Sequence, residues 1–279
     1  MQRDFFLGSD WLYYKIYTGP KTSDIILIEK LEPIILKLKK KNIIQKWFFI
    51  RYNDGDPHIR IRFLIKKPND LSKTIQALYP ILNKLLKENL IWKIQTDTYQ
   101  RELERYGGST ITESESLFWK DSEMVLEYLS VKSSFPSSQT QLLFSFYAID
   151  SFLNSFELSN LDKLNLMNGL QLSFKREFEI DKTLKKELDK HYRELSTVIN
   201  QCFNYPENLI FLEIIKTKEN QITEAVLSIK KNIQISLISF LESHIHMMIN
   251  RQYTSKQRTY ELIIYDHLYR YYKTLNYKQ

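Results

Sequence analysis

A chain of 279 residues that is 43% hydrophobic and 26% charged can bury a sizeable core, which argues against intrinsic disorder. Its one cysteine, Cys202, excludes an internal disulfide and any Cys-based zinc cluster, and fits a reducing compartment. The net charge of +7 suits an anionic partner without choosing among nucleic acid, an acidic peptide and a carboxylate ligand.

In chain order, Trp11 to Tyr17 reads as an aromatic strand, broken by Gly19-Pro20. Thr22-Ser23-Asp24 supplies caps for a helix to about residue 40, with Pro33 predicting a kink. Strands near 45–52 and 58–65 flank Asn53-Asp54-Gly55-Asp56-Pro57, a turn signal. A helix follows at roughly 70–88, then a strand at about 90–97. Strand, helix, strand, strand, helix, strand is the split βαβ, ferredoxin-like order. After a polar segment ending in Gly107-Gly108, Thr112-x-x-Glu115 spells a capping box for a helix to about Leu129. Ser130 to Ser138 reads as a linker. Beyond it, helices are expected near 139–156, 161–176, 182–201, 219–252 and 256–275, with breaks at Gly169 and Pro206. The expected architecture is α+β: a ferredoxin-like part over residues 1–130 and a larger, mainly helical part over 131–279. No signal-like h-region and no stretch near 18 apolar residues occurs, so the expectation is a cytoplasmic protein without a membrane span.

On the strand at 58–65 the side-chain period is two. His58, Arg60 and Arg62 therefore share one face, and Ile59, Ile61 and Phe63 the other. A solvated outer face is the bland alternative. Arg101 and Arg105, at i,i+4 spacing, point the same way if their segment is helical. Near the C-terminus His244 falls on an apolar helical stripe with Leu237, Leu241 and Met248, the position of a core residue. His246 falls on a polar stripe with Glu242 and Asn250, groups able to fix its tautomer. The two histidines are about 200° apart on a helix, and no His-Glu-x-x-His spacing occurs, so no metal site is expected. His191 and His267 have no evident partner. No phosphate-binding glycine loop or nucleophile elbow is present. Composition and spacing alone indicate an arginine-rich anion site with a histidine as candidate base.

Five runs occur in order: Trp47-Phe48-Phe49-Ile50-Arg51-Tyr52; Asp56-Pro57-His58-Ile59-Arg60-Ile61-Arg62; Tyr99-Gln100-Arg101-Glu102-Leu103-Glu104-Arg105-Tyr106-Gly107-Gly108; Glu115, Phe118 and Asp121-Ser122-Glu123; and His246-Met247-Met248-Ile249-Asn250-Arg251. Together they resemble the C-terminal elimination domain of class I lantibiotic dehydratases, also met as stand-alone thiopeptide-type bacteriocin biosynthesis proteins. The resemblance implies a lyase that needs no cofactor, removing glutamate from glutamylated Ser or Thr of a ribosomal precursor peptide to leave dehydroalanine or dehydrobutyrine. Carried over by motif, it implies catalytic roles for Arg60, Arg62, His246 and one of Arg101 and Arg105. Substrate contacts are expected from Arg51, His58, Tyr99, Tyr106, Asn250 and Arg251. It also implies a separate glutamylating dehydratase subunit as partner, no direct nucleic-acid contact, and compatibility with a homodimer. Relatives of the same fold form pyridine rings by cycloaddition, which is the alternative activity. A non-catalytic peptide-binding subunit is a third reading.

Overall fold

The computed structural model describes residues 1–135 and 139–277. Its main sheet contains β2 (Trp11–Tyr17), β3 (Ile44–Asn53), β4 (Pro57–Ile65) and β5 (Lys93–Thr96). The spatial order is β3-β4-β2-β5, every neighbouring pair antiparallel. These are the four expected strands, the last shortened. A further two-residue pair, β1 (Asp4–Phe5) with β6 (Tyr99–Gln100), is too short for any periodicity to announce it. Helices α1 (Pro20–Ile25), α2 (Glu32–Lys40) and α3 (Asp70–Lys87) complete the strand–helix alternation. Gly55 takes φ +104 in the β3–β4 turn, the left-handed backbone for which a glycine is suited.

The remainder is helical: α4 (Leu103–Tyr106), α5 (Ile111–Val131), α6 (Thr140–Ser155), α7 (Asn160–Glu177), α8 (Lys182–Asn204), α9 (Leu212–Asn232), α10 (Leu237–Gln252) and α11 (Gln257–Tyr277). Buried apolar side chains form one cluster running from Phe5 to Tyr272, so sheet and helices share a core. Among the described residues no helix is long and apolar enough to cross a membrane.

Several local expectations fail for an identifiable reason. Pro33 lacks the N–H that would bond to Glu29, and its ring would clash there. The chain answers with a π-helical stretch, Ile26–Leu31, directly before it, so helices α1 and α2 are joined through a widened turn. Thr22-Ser23-Asp24 does not cap that helix, which starts at Pro20 after Gly19. Ser23 and Asp24 accept hydrogen bonds from Arg51 instead. The Thr112/Glu115 capping box does not form either. Helix α5 begins at Ile111, and Glu115 is taken by Arg101 and Tyr99. Gly169 lies inside α7 and breaks nothing, whereas the expected helix over 219–252 is interrupted after Asn232 and restarts at Leu237. The expected linker is helical through Val131 with a 3-10 turn at Lys132–Ser134. Its residues 136–138 lie outside the described ones.

Strand β3 is an edge strand, and its outward backbone groups are covered rather than left open. Phe49 N–H donates to Ser122 Oγ of α5 at 3.2 Å. Arg51 N–H donates to Asn250 Oδ1 of α10 at 2.9 Å, and Asn250 Nδ2 returns a bond to Arg51 O at 2.9 Å. The Asn250 amide thus pairs with the strand as a neighbouring backbone would, and it fixes α10 against the sheet.

Candidate functional site

The central strand β4 is buried on both faces, which disposes of the solvated-face alternative. Arg62 pairs across the sheet with Tyr13 and Phe48, Arg60 with Lys15 and Ile50, and His58 with Tyr17 and Tyr52. Only 8% of Arg62 and 3% of His58 are exposed. The Arg62 guanidinium lies 4.3 Å from the Tyr13 ring centroid and 4.8 Å from that of Tyr99. Its Nε has no hydrogen-bond partner, and among the described residues no carboxylate forms an ion pair with it. Burial pulls its pKa below the ordinary arginine value. An arginine remains protonated even so, and a buried cation is costly unless something pairs with it.

Arg60 is held differently. It stacks on Tyr52, 3.3 Å from the ring centroid, and donates through Nε to His58 Nε2 at 3.1 Å. His58 contacts the Asp56 carbonyl oxygen through Nδ1 at 2.9 Å. Burial lowers the His58 pKa, favouring the neutral ring. A neutral ring that donates from Nδ1 and accepts at Nε2 matches both contacts, so His58 orients Arg60 from behind.

These arginines face a cleft of about 310 Å³. Of the sequence-predicted residues, Arg60, Arg62, Tyr99, Arg105, Tyr106, His246, Asn250 and Arg251 line it. Arg51, His58 and Arg101 do not. Arg51 is a buried clamp, reaching Asp24 Oδ1 at 2.6 Å and Arg251 O at 2.8 Å. Arg101 and Arg105 do not point the same way, because residue 101 precedes the four-residue helix α4 rather than belonging to it. Arg101 makes a bidentate pair with Glu115, both bonds 2.7 Å, with side-chain exposures of 9% and 1%. Arg105 is exposed, pairs with Glu102 at 3.0 Å and reaches the cleft. Gly107, at φ +73, ends α4, and a Cβ there would stand 2.6 Å from Thr110 Oγ1.

Across the cleft, His246 sits on α10 with its side chain one-third exposed (34%). Its partner is neither Glu242 nor Asn250. Nδ1 lies 2.6 Å from Oε1 of Glu261 on α11, a carboxylate that is itself 1% exposed. Tyr265 donates to the same oxygen at 2.9 Å, and Arg258 donates to Oε2 at 3.0 Å. A ring that donates Nδ1–H to a fixed carboxylate keeps Nε2 as an acceptor, the arrangement of an oriented general base. Sequence reading misses Glu261 because it belongs to the next helix, 15 residues away, outside the one-turn window in which helical neighbours are sought.

Beneath the cleft, Arg251 is 1% exposed and lies 3.8 Å from Asp121 Oδ2, while Lys218 Nζ reaches Asp121 Oδ1 at 2.6 Å. His244 is the core residue its apolar stripe predicts, with Ser114 Oγ at 3.4 Å from Nε2. Burial holds its pKa well below the ordinary value. His191 and His267 partner each other at 2.8 Å, on the far side of α11, with Asp266 behind His267. Burial pushes the Cys202 thiol up to about 12, so it is no nucleophile at neutral pH. No group of three metal-ligating side chains is found among the described residues. What the cleft offers is Arg60, Arg62 and Arg105 around one carboxylate, Glu102, which Arg105 already holds, with Arg62 lacking an acidic partner among the described residues, facing a carboxylate-held imidazole.

Residues 11–272 match the family model for the lantibiotic biosynthesis dehydratase C-terminal region. The subtilin biosynthesis protein SpaB of Bacillus subtilis is 26% identical over 87% of this chain and 23% of its own length. The chain thus spans about a quarter of that curated relative. In fold, it resembles the tRNA-dependent lantibiotic dehydratase MibB from Microbispora sp. 107891, at a TM-score of 0.76 and 17% identity over 98% of this chain and 29% of that one. It also resembles TbtD, the pyridine synthase from thiomuracin biosynthesis, at a TM-score of 0.65 and 12% identity over 95% of this chain and all (100%) of that one.

Proposed function

Because the chain belongs to the lantibiotic biosynthesis dehydratase C-terminal family, we propose that its cleft eliminates glutamate from glutamylated Ser or Thr of a ribosomal precursor peptide. The observation that carries this reading is Arg62, a buried cation without an acidic partner, in the same cleft as the Glu261-held His246. Such a cation has a use if an anion completes it, and a glutamyl carboxylate matches a guanidinium in bidentate fashion. His246 Nε2 takes the α-proton, the Cα–Cβ double bond forms, and the Cβ–O bond breaks. Glutamate departs as a carboxylate with the electron pair, leaving dehydroalanine or dehydrobutyrine. Arg60 and Arg62 stabilise charge on the enolate-like intermediate and on the leaving group. Arg105 rather than Arg101 is the ligand contact of that pair, since only Arg105 lines the cleft.

In this reading the part through residue 130, for which the strand order β3-β4-β2-β5 supports a ferredoxin-like arrangement, carries Arg60, Arg62 and Arg105, and the helical part from 131 carries the base. The glutamyl ester is installed by a glutamylating activity outside this cleft, and the reaction takes place in the cytoplasm. Incubating the protein with glutamylated precursor peptide and following mass tests it. Loss of glutamate is expected, and an unchanged peptide overturns the reading. A second reading is pyridine formation, favoured by the match to the whole length of TbtD. It would show as ring formation on a peptide that already carries dehydroalanines, with the glutamylated peptide left unchanged.

The His246–Glu261 pair makes a separate prediction. His246→Ala should lower the elimination rate by about 10²–10⁴-fold, the usual contribution of a positioned acid–base group. Glu261→Gln should also slow it while shifting the pH–rate profile, because an amide can present its NH₂ to Nδ1 and favour the wrong tautomer. A pH profile unmoved by Glu261→Gln would rule out the orienting role.

A further inference from the structure

A second cleft, of about 450 Å³, opens beside the first. The two share three lining residues: Tyr52, Asn250 and His246. His246 therefore forms a wall between two spaces. The first is lined by Arg60, Arg62, Arg105 and Arg251. The second is lined by the end of β3, the start of β4 and the α10–α11 connection, with Asn53 on one wall and Thr254, Ser255, Lys256 and Gln257 on the other. Its two arginines are already paired, Arg51 with Asp24 and Arg258 with Glu177 and Glu261. The side chains of Asn53, Thr254 and Ser255 make no hydrogen bond within the described chain. Gln257 donates to Tyr253 O and keeps its own carbonyl oxygen free. Lys256 has no ion pair among the described residues. Its φ of +55 is a left-handed conformation that a lysine seldom takes, and it shapes the turn joining the helix of His246 to that of Glu261.

We infer that this second cleft holds the peptide main chain on one side of the residue being modified; the inference rests on the elimination reading of the first cleft. A base that removes an α-proton must stand at the Cα, from which the glutamyl-bearing side chain and two backbone arms diverge. If the glutamyl group fills the arginine-lined space, at least one arm has to leave past His246 on its other side. The second cleft begins there. Uncommitted amide and hydroxyl groups are what an extended main chain requires, since each of its residues brings one donor and one acceptor that lose water on entry. The single unpaired ammonium of Lys256 adds a preference for an acidic side chain or a C-terminal carboxylate along that arm. Binding energy gathered here is remote from the chemistry, and it raises turnover of long substrates over short ones.

The test compares kcat/KM for two substrates of the intact protein. One is O-glutamyl-serine blocked as its N-acetyl methylamide, and the other a longer peptide containing the same residue. The unmodified protein should prefer the long peptide. Ser255→Trp and Asn53→Trp each place a large side chain in the second cleft from opposite walls, both from exposed positions. Each should lower the long-to-short ratio of kcat/KM at least about tenfold. Two variants from different elements guard against a local folding defect in either, and far-ultraviolet circular dichroism confirms the fold. A ratio that stays within about twofold in both overturns the inference while leaving the elimination reading intact. If the unmodified protein releases glutamate from neither substrate, the elimination reading itself falls.

Discussion

Replacing Arg62 with methionine should make the protein more stable and nearly inactive. The two halves of that result come from one observation, an almost fully buried guanidinium between aromatic rings with no carboxylate to pair with it. Desolvating the charge works against the fold, and methionine fills a comparable volume without it. Exchanging buried charged groups for apolar side chains of similar size has stabilised other proteins by about 1–4 kcal/mol, and a lone cation has less to lose than a pair. Activity should move the other way. Losing a preorganised donor aimed at developing charge costs about 2.7–4 kcal/mol of barrier, or roughly 10²–10³ in kcat. Denaturant unfolding and glutamate release from glutamylated peptide measure the two effects. A destabilised variant would mean that Arg62 serves the fold, and a stable, fully active one would remove it from the chemistry. Arg60 should not behave this way, because Tyr52 and His58 already hold it and it retains more contact with water.

The largest loss of stability is expected at Glu115. Its two carboxylate oxygens take both arms of Arg101 at 2.7 Å, and Tyr99 O–H donates to Oε1 at 3.0 Å. Glu115→Ala strands a mostly buried guanidinium and should cost about 3–5 kcal/mol, a substantial part of an ordinary domain's stability. Arg101→Met should be comparably damaging, because it leaves the carboxylate uncompensated. Combining Arg101→Met with Glu115→Met should restore much of the loss that Arg101→Met and Glu115→Met each cause alone, since a buried pair replaced whole by apolar groups is often neutral. A double-mutant cycle by urea denaturation checks this. Strict additivity of the single losses would show that the two groups act independently. The damage should be structural first, because this pair anchors the segment that carries Tyr99 and Arg105 to the cleft.

What could be read from the sequence follows the range of the interactions involved. Alternation along Pro57–Ile65 places His58, Arg60 and Arg62 on one face, because a strand's geometry is set within the strand. The stripes on Leu237–Gln252 separate a core His244 from a cleft-facing His246 for the same reason. Cap assignments failed where distant partners claimed the side chains. Ser23 and Asp24 were taken by Arg51, 28 and 27 residues on, and Glu115 by Arg101. A cap bond of roughly 1 kcal/mol loses to a charge-assisted bond in a dry interior. Glu261 escaped notice because nothing local marks it. Its role exists only once α11 folds back on α10.

The bond between Arg51 and Asn250 has a consequence for how the protein comes into being. Its partners are 199 positions apart in the chain. A ribosome releases the whole sheet long before it makes residue 250, so the Arg51 end of β3 stays open after α5 has covered the edge at Phe49. Because Asn250 lies one helical turn beyond His246, closure of that end of the edge and delivery of the proposed base arrive together, and a chain halted earlier has neither.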